Sequence, residues 1–203
     1  VRSGWVSGEE VDDVPPRPPV DGGPLDWGAL AASLTDELDD FARATLDGAG
    51  GERVYAVAVH LFHAEPGGAI SLPVFAAAGE EWLDRQAPEA REELRWSAAD
   101  WPWQRFDDWR EPGSWLRWGE RVTAEAVQGG LDRWHAAHRR FLDTVVRACE
   151  RVAAGLARDF PRAPVVVPLD PEVEPRGRAM RAWSWSGRAG GTSDVAERGG
   201  GRC

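Results

Sequence analysis

Between Leu30 and Leu46 the apolar positions Leu30, Leu34, Leu38, Phe41 and Thr45 or Leu46 recur at steps of three to five, the spacing of one helical face. Asp26 stands where an N-cap belongs and Gly48 where the pattern stops, so a helix is predicted between them. A longer stripe follows downstream. Leu131, Trp134, His138, Phe141, Val145, Cys149, Val152 and Leu156 step by three and four, which predicts a core-facing helix of roughly seven turns with Gly129-Gly130 as its start or a kink. Between these stripes the period changes. Val54 to His63 is β-branched and aromatic, and after Glu65-Pro66-Gly67-Gly68 a second apolar run extends from Ala69 to Ala78; together they read as an antiparallel hairpin.

The remaining elements are short. Gly79 to Leu83 opens a helical turn, Pro88 to Leu94 can form another, and Arg95-Trp96 reads as extended. Ser97 and Asp100 have the S-x-x-D spacing of a capping box, which predicts a short helix or turn from Ala98. Phe106 to Gly119 has no clear period, and Val165-Val166-Val167 between prolines suits a short edge strand. Helices, then strands, then helices, with no repeated βαβ unit, predict an α+β fold: an antiparallel sheet packed by an N-terminal helix and a long C-terminal helix.

Composition narrows the setting. At 203 residues and 42% hydrophobic the chain supports one core, expected over residues 25–186. Residues 1–24, with Pro15-Pro16-Arg17-Pro18-Pro19, read as a disordered acidic arm, and 187–203 as a disordered Gly- and Arg-rich tail. No apolar run approaches eighteen residues, and the first residues are acidic and proline-rich where a secretory signal is basic and then apolar, so a cytoplasmic location is expected. Cys149 and Cys203 form neither a disulfide framework nor a metal-ligand spacing, which fits a reducing compartment.

The net charge is −10, and the segment 176–203 carries six arginines against Asp194 and Glu197, a surplus of +4 that leaves −14 on residues 1–175. So negative a body repels nucleic-acid backbones and anionic membranes and attracts basic protein surfaces. A basic protein partner is therefore expected, with no nucleic acid and no membrane.

The residues that could carry chemistry also suit structural roles. His60 and His63, three apart on a strand, face opposite ways; His135 and His138 are three apart on the long helix, but His138 sits in the apolar stripe, where a core histidine is the simpler reading. Zinc requires three or four convergent ligands and no Cys or acidic motif completes a set, so no metal and no cofactor is expected. Cys149 in the same stripe reads as an inert core thiol. Ser97 lacks the G-x-S-x-G setting of a nucleophile, and the chain has no lysine for a phosphate loop.

Six of the twelve tryptophans lie between positions 96 and 118, dense enough for a core wall or a recognition surface. Trp101 and Trp103 flank Pro102 and are expected to project to one side of an extended backbone; with Asp100, Trp109, Trp115 and Trp118 they form the candidate binding surface. Asp36, Glu37, Asp39 and Asp40 are expected to form an acidic ridge on the first helix, away from the leucine stripe.

The phrases Val54-Tyr55-Ala56-Val57-Ala58-Val59, Leu72-Pro73-Val74 and Leu94-Arg95-Trp96-Ser97-Ala98-Ala99-Asp100-Trp101 resemble the bacterial family called domain of unknown function 4303, over about Leu25 to Asp170. Its Arg-Trp-Ser-x-x-Asp-Trp phrase is fairly specific, since these residue types at fixed spacing rarely recur by chance. The resemblance implies no catalytic residue or cofactor, and some relatives look like immunity proteins of bacterial toxin systems. The leading expectation is thus a non-enzymatic acidic binding protein, a toxin-immunity or accessory factor docking on a basic partner. Two alternatives come from other classes: a hydrolase or metal enzyme using Asp100 with His60, His63 or His138, and a tryptophan-lined module for carbohydrates or small ligands. Burial of the tryptophans and convergence of His with Asp discriminate among them.

Overall fold

A computed structural model describes residues 23–106 and 113–169. The arm expected over 1–24, except its last two residues, lies outside the described residues, as do 170–186 of the expected domain, the tail 187–203 and Trp109.

Helix α1 (Trp27–Gly48) starts where Asp26 Oδ1 accepts hydrogen bonds from the Gly28 and Ala29 amides at 2.9 and 3.0 Å. Such a cap contributes about 1 kcal/mol. The helix buries the predicted stripe, Leu30, Leu34, Leu38 and Phe41, against the sheet and the long helix α5 (Gly130–Asp159). In α5, Trp134, Phe141, Val145, Cys149, Val152 and Leu156 are buried as the periodicity requires, whereas Leu131, the first of the expected stripe, is exposed. Leu131 lies in the opening turn, before the helix meets the core. Burial pushes the Cys149 thiol well above its ordinary pKa and leaves it protonated.

The strands are β1 (Val54–His60), β2 (Val74–Gly79), β3 (Trp103–Arg105) and β4 (Val165–Leu169), in the order β3-β2-β1-β4. β1 pairs antiparallel with β2, and β2 with β3. The α+β class holds, with an N-terminal and a long C-terminal helix as expected, but the sheet is mixed rather than antiparallel because β4 runs parallel to β1, Ala56 opposite Val165 through His60 opposite Leu169. The cause lies in α5, which returns the chain to the end of the sheet where β1 begins. β4 is an edge strand, which is why it tolerates Pro168.

The link between β1 and β2 is longer than the Pro-Gly-Gly turn suggested, since β2 starts at Val74 rather than near Ala69. Gly67 (φ +83°) turns the chain, the Trp134 indole N–H donates to the Gly68 carbonyl at 2.8 Å, and Ile70 and Leu72 are buried. Helix α4 (Ser114–Val127) occupies part of the stretch without a clear period. Its inner side carries only Ser114, Val122 and Ala126 as buried residues, too sparse a stripe to read from sequence.

The two faces of the sheet differ. Val57, Val59, Phe75 and Ala77 face the helices in the main core; Ala56, Ala58, Ala76 and Ala78 face a second, smaller core with Ala98, Trp101, Val167 and Leu169. This second face is covered by the short helices α2 (Glu80–Asp84) and α3 (Arg91–Leu94) and a 3₁₀ turn at Ala98–Asp100. Among the described residues no helix is long and apolar enough to cross a membrane.

Candidate functional site

The alanine face ends in a groove of about 500 Å³ at the start of β1 and β4. A register irregularity between Val54 and Ala56 builds it: Val54 belongs to the main core, while Tyr55 packs with Ala56 on the alanine side. Such a bulge re-aims one side chain without breaking the ladder beyond it. Tyr55 thus meets Trp96 edge-on (centroids 6.5 Å apart) and Trp101 likewise (6.0 Å), and its hydroxyl donates to the Arg95 carbonyl at 2.9 Å. Burial raises the Tyr55 pKa far above its ordinary value, so the phenol is a fixed neutral donor.

Arg95 closes one wall. Its guanidinium lies 5.2 Å from the Tyr55 ring centroid and 3.8 Å from a Glu80 carboxylate oxygen. Arg95 was expected to be extended, but it has helical dihedrals (φ −54°, ψ −31°) as the C-cap of α3. In that conformation its carbonyl accepts the Tyr55 hydroxyl. Arg53 and Arg162 also line the groove; both are exposed and neither has an ion pair or hydrogen bond from its side chain among the described residues. Val165 and Val167 supply apolar lining.

The phrase around Ser97 is a clamp over the alanine face. The Trp101 indole N–H donates to the Leu94 carbonyl at 3.0 Å, and the ring is only 2% exposed. The Ser97 hydroxyl donates to the Asp100 carboxylate, and the Asp100 amide bonds the Ser97 carbonyl at 3.0 Å. The expected capping box is therefore replaced by a side chain to side chain bond: Ser97 precedes the 3₁₀ turn, but its hydroxyl accepts from no backbone amide there. The turn is too short to leave the N3 amide unpaired.

The other expected site residues separate. Trp103 packs against the main core, not beside Trp101, because the bend at Pro102 breaks the two-residue alternation. Trp115 and Trp118 are partly buried against the main core; the Trp115 indole donates to the Pro73 carbonyl at 3.1 Å, and Arg121 sits 5.3 Å from the Trp118 ring. These rings form a core wall rather than one ligand surface. The four acids of α1 do not form one solvent-facing ridge. Asp36 is exposed, but Glu37 is 5% exposed and paired with Arg105 at 3.5 Å, and Asp39 shares Arg43 with Asp159. Asp40 is half-buried and has a partner of its own. The sequence pattern missed Glu37 because a buried acid is unreadable until its arginine arrives, here from β3.

His63 and His138 line a cavity of about 40 Å³ that has no carboxylate in its lining. His138 lies against Trp134 with ring centroids 4.8 Å apart, and His60 stacks on Phe62 at 5.3 Å. Asp100 bonds Ser97 and has no hydrogen bond or ion pair with His60, His63 or His138 among the described residues. Among the described residues no group of three or more His, Cys, Asp and Glu side chains is placed to hold a metal ion. Arg53, Tyr55, Arg95, Trp96 and Arg162 were not singled out as a site in the sequence, because the bulge that gathers them leaves no mark on the apolar pattern.

No family model matches the chain, and no curated protein or solved structure matches it either.

Proposed function

We propose that this chain is a non-enzymatic binding protein, a toxin-immunity or accessory factor, that docks an acidic surface on a basic protein partner, as a resemblance to the domain of unknown function 4303 family, some of whose members look like immunity proteins, would imply. The supporting observation is the charge carried by the layer over the alanine face. Glu81, Glu89, Glu92 and Glu93 are all exposed there, and none has an ion pair among the described residues. Asp100 adds a fifth exposed carboxylate beside them. The acids of α1 contribute less, since Glu37 and Asp39 are already spent on arginines of the same chain.

Unpaired exposed carboxylates steer a cationic partner at long range, so their effect falls chiefly on the association rate. The partner is to be captured by crosslinking in native lysate and its binding followed by surface plasmon resonance. Raising salt from about 0.1 M to about 1 M shortens the Debye length from about 10 Å to about 3 Å and should slow association roughly tenfold or more. Replacing Glu81, Glu89, Glu92 and Glu93 by Gln should do the same at low salt and leave the dissociation rate nearly unchanged. An association rate indifferent to both changes would remove this layer from the interface.

A further inference from the structure

The groove beside Tyr55 has the opposite electrostatic character to the surface around it. Three guanidinium groups line it, from Arg53, Arg95 and Arg162, on a chain whose net charge is −10. Glu80 compensates Arg95, at 3.8 Å, but nothing among the described residues compensates Arg53 or Arg162. The groove thus carries two positive charges without an acidic partner among the described residues. Trp96, half-buried and set edge-on to Tyr55, lines it together with Val165 and Val167. Its volume, about 500 Å³, falls within the range of about 300–1,000 Å³ typical of small-molecule sites.

We propose that this groove binds a small phosphate monoester that carries a planar ring, the chemistry of a mononucleotide. A phosphate monoester brings a charge of about −1.5 to −2 at neutral pH, which matches the two unpaired arginines, and its oxygens accept the forked donors that guanidinium presents. The ring packs on Trp96 and the valines, as purine or pyrimidine faces stack on indole. A long nucleic acid is disfavoured because the acidic body repels a repeating phosphate backbone, whereas a single phosphate meets only the local arginines. The site uses side-chain guanidinium groups in place of a glycine-rich loop, which accounts for the lack of a phosphate-loop phrase in the sequence. Its residues are separate from Glu81, Glu89, Glu92 and Glu93, so it stands or falls independently of the partner surface.

Titration of the full chain with 5′-AMP, followed by calorimetry and by the Trp96 indole N–H resonance in ¹⁵N-resolved NMR, tests the proposal. Adenosine supplies the ring without the charge, inorganic phosphate the charge without the ring, and indole-3-acetate a ring with a carboxylate. AMP is expected to bind about tenfold tighter than any of the three, with the Trp96 resonance shifting along the titration. The double variant R53E/R162E changes two exposed residues and should fold normally, and in it AMP affinity should fall by about tenfold or more. Trp96→Leu should weaken AMP but leave inorganic phosphate unaffected. The proposal is overturned if AMP does not bind, if adenosine, phosphate or indole-3-acetate binds as well as AMP, or if AMP binds the folded double variant with wild-type affinity.

Discussion

The two faces of the sheet solve the same burial problem in opposite ways. On the helix side the strands present large groups, Val57, Val59 and Phe75, and the cover is regular: the long helices α1 and α5 pack on each other and close one core with them. On the other side β1 and β2 present four alanines, and the bulk comes from Trp101 and Trp96 of the cover and from Tyr55 of β1, re-aimed by the bulge. Small strand residues leave room for an indole to lie close to the backbone, so the thin layer of α2, α3 and the 3₁₀ turn buries apolar area without long helices. What holds that layer is a set of individual hydrogen bonds, Trp101 to Leu94, Tyr55 to Arg95 and Ser97 to Asp100. A thick packed face gives global stability. A thin hydrogen-bonded one gives a shaped surface, and the groove and the unpaired glutamates both lie on that side.

If the thick face carries the global stability, emptying it should have the largest effect. Phe75→Ala, at a fully buried position that also meets Phe41 with centroids 5.9 Å apart, should cost about 3–5 kcal/mol in urea denaturation. A loss below about 1 kcal/mol would mean that the helix side is not closely packed. The thin face should instead be sensitive to added volume. Ala76→Leu forces a branched side chain under the Trp101 layer and should cost about 1–3 kcal/mol, with a change in the near-ultraviolet circular dichroism of the displaced indole. Unchanged stability there would show that the alanines are not required for the close approach.

The seam between the faces offers a smaller and more local test. Glu52 reaches across to cap α2, its carboxylate accepting from the Trp82 amide at 2.6 Å while its side chain passes over Gly79. A Cβ at Gly79 would collide with Glu52 Oε1, so Gly79→Ala must push the carboxylate off the amide. The expected cost is about 0.5–2 kcal/mol, that of a lost cap. Hydrogen exchange should localise it: the α2 and α3 amides lose protection first, while β1 and β2 keep theirs, because a thin layer opens without global unfolding. Uniform loss of protection across the sheet would place the damage in the main core.

The same contrast explains what was legible in the sequence. The thick face was readable because its stripes are periodic; Leu30 to Phe41 and Trp134 to Leu156 point inward wherever the helices sit. Its one unreadable element was α4, which buries three small or medium residues and leaves Leu116 exposed. The thin face was readable only as a string of parts. Ser97, Asp100 and the turn between them were placed correctly along the chain, but their bond depends on a 3₁₀ turn whose length no spacing specifies. The groove was invisible for a further reason: it joins Arg53, Arg95 and Arg162 across more than a hundred residues, through a bulge at Tyr55 and a parallel edge strand. Long-range register of that kind is set by the whole sheet.

The smallest expected effect concerns His60, which by strand alternation belongs to the alanine side and ends β1 opposite Val74 and Leu169. Stacked on Phe62 and half-buried, its imidazole is held by burial below the ordinary histidine pKa of about 6.5. The folded state therefore disfavours the proton that the unfolded chain accepts. As pH falls through about 6.5 the unfolded state takes up protons first and stability declines, and the decline from this group ends once pH has passed below the folded pKa. Between about pH 7.5 and about pH 5.5 the wild-type Tm should thus fall more than that of His60→Gln, the two proteins sharing every carboxylate that titrates lower. A parallel fall in both would show that His60 is as well solvated in the folded protein as in the unfolded one. The comparison would then sharpen in the other direction, with the thin face open to water up to the last residue of its central strand.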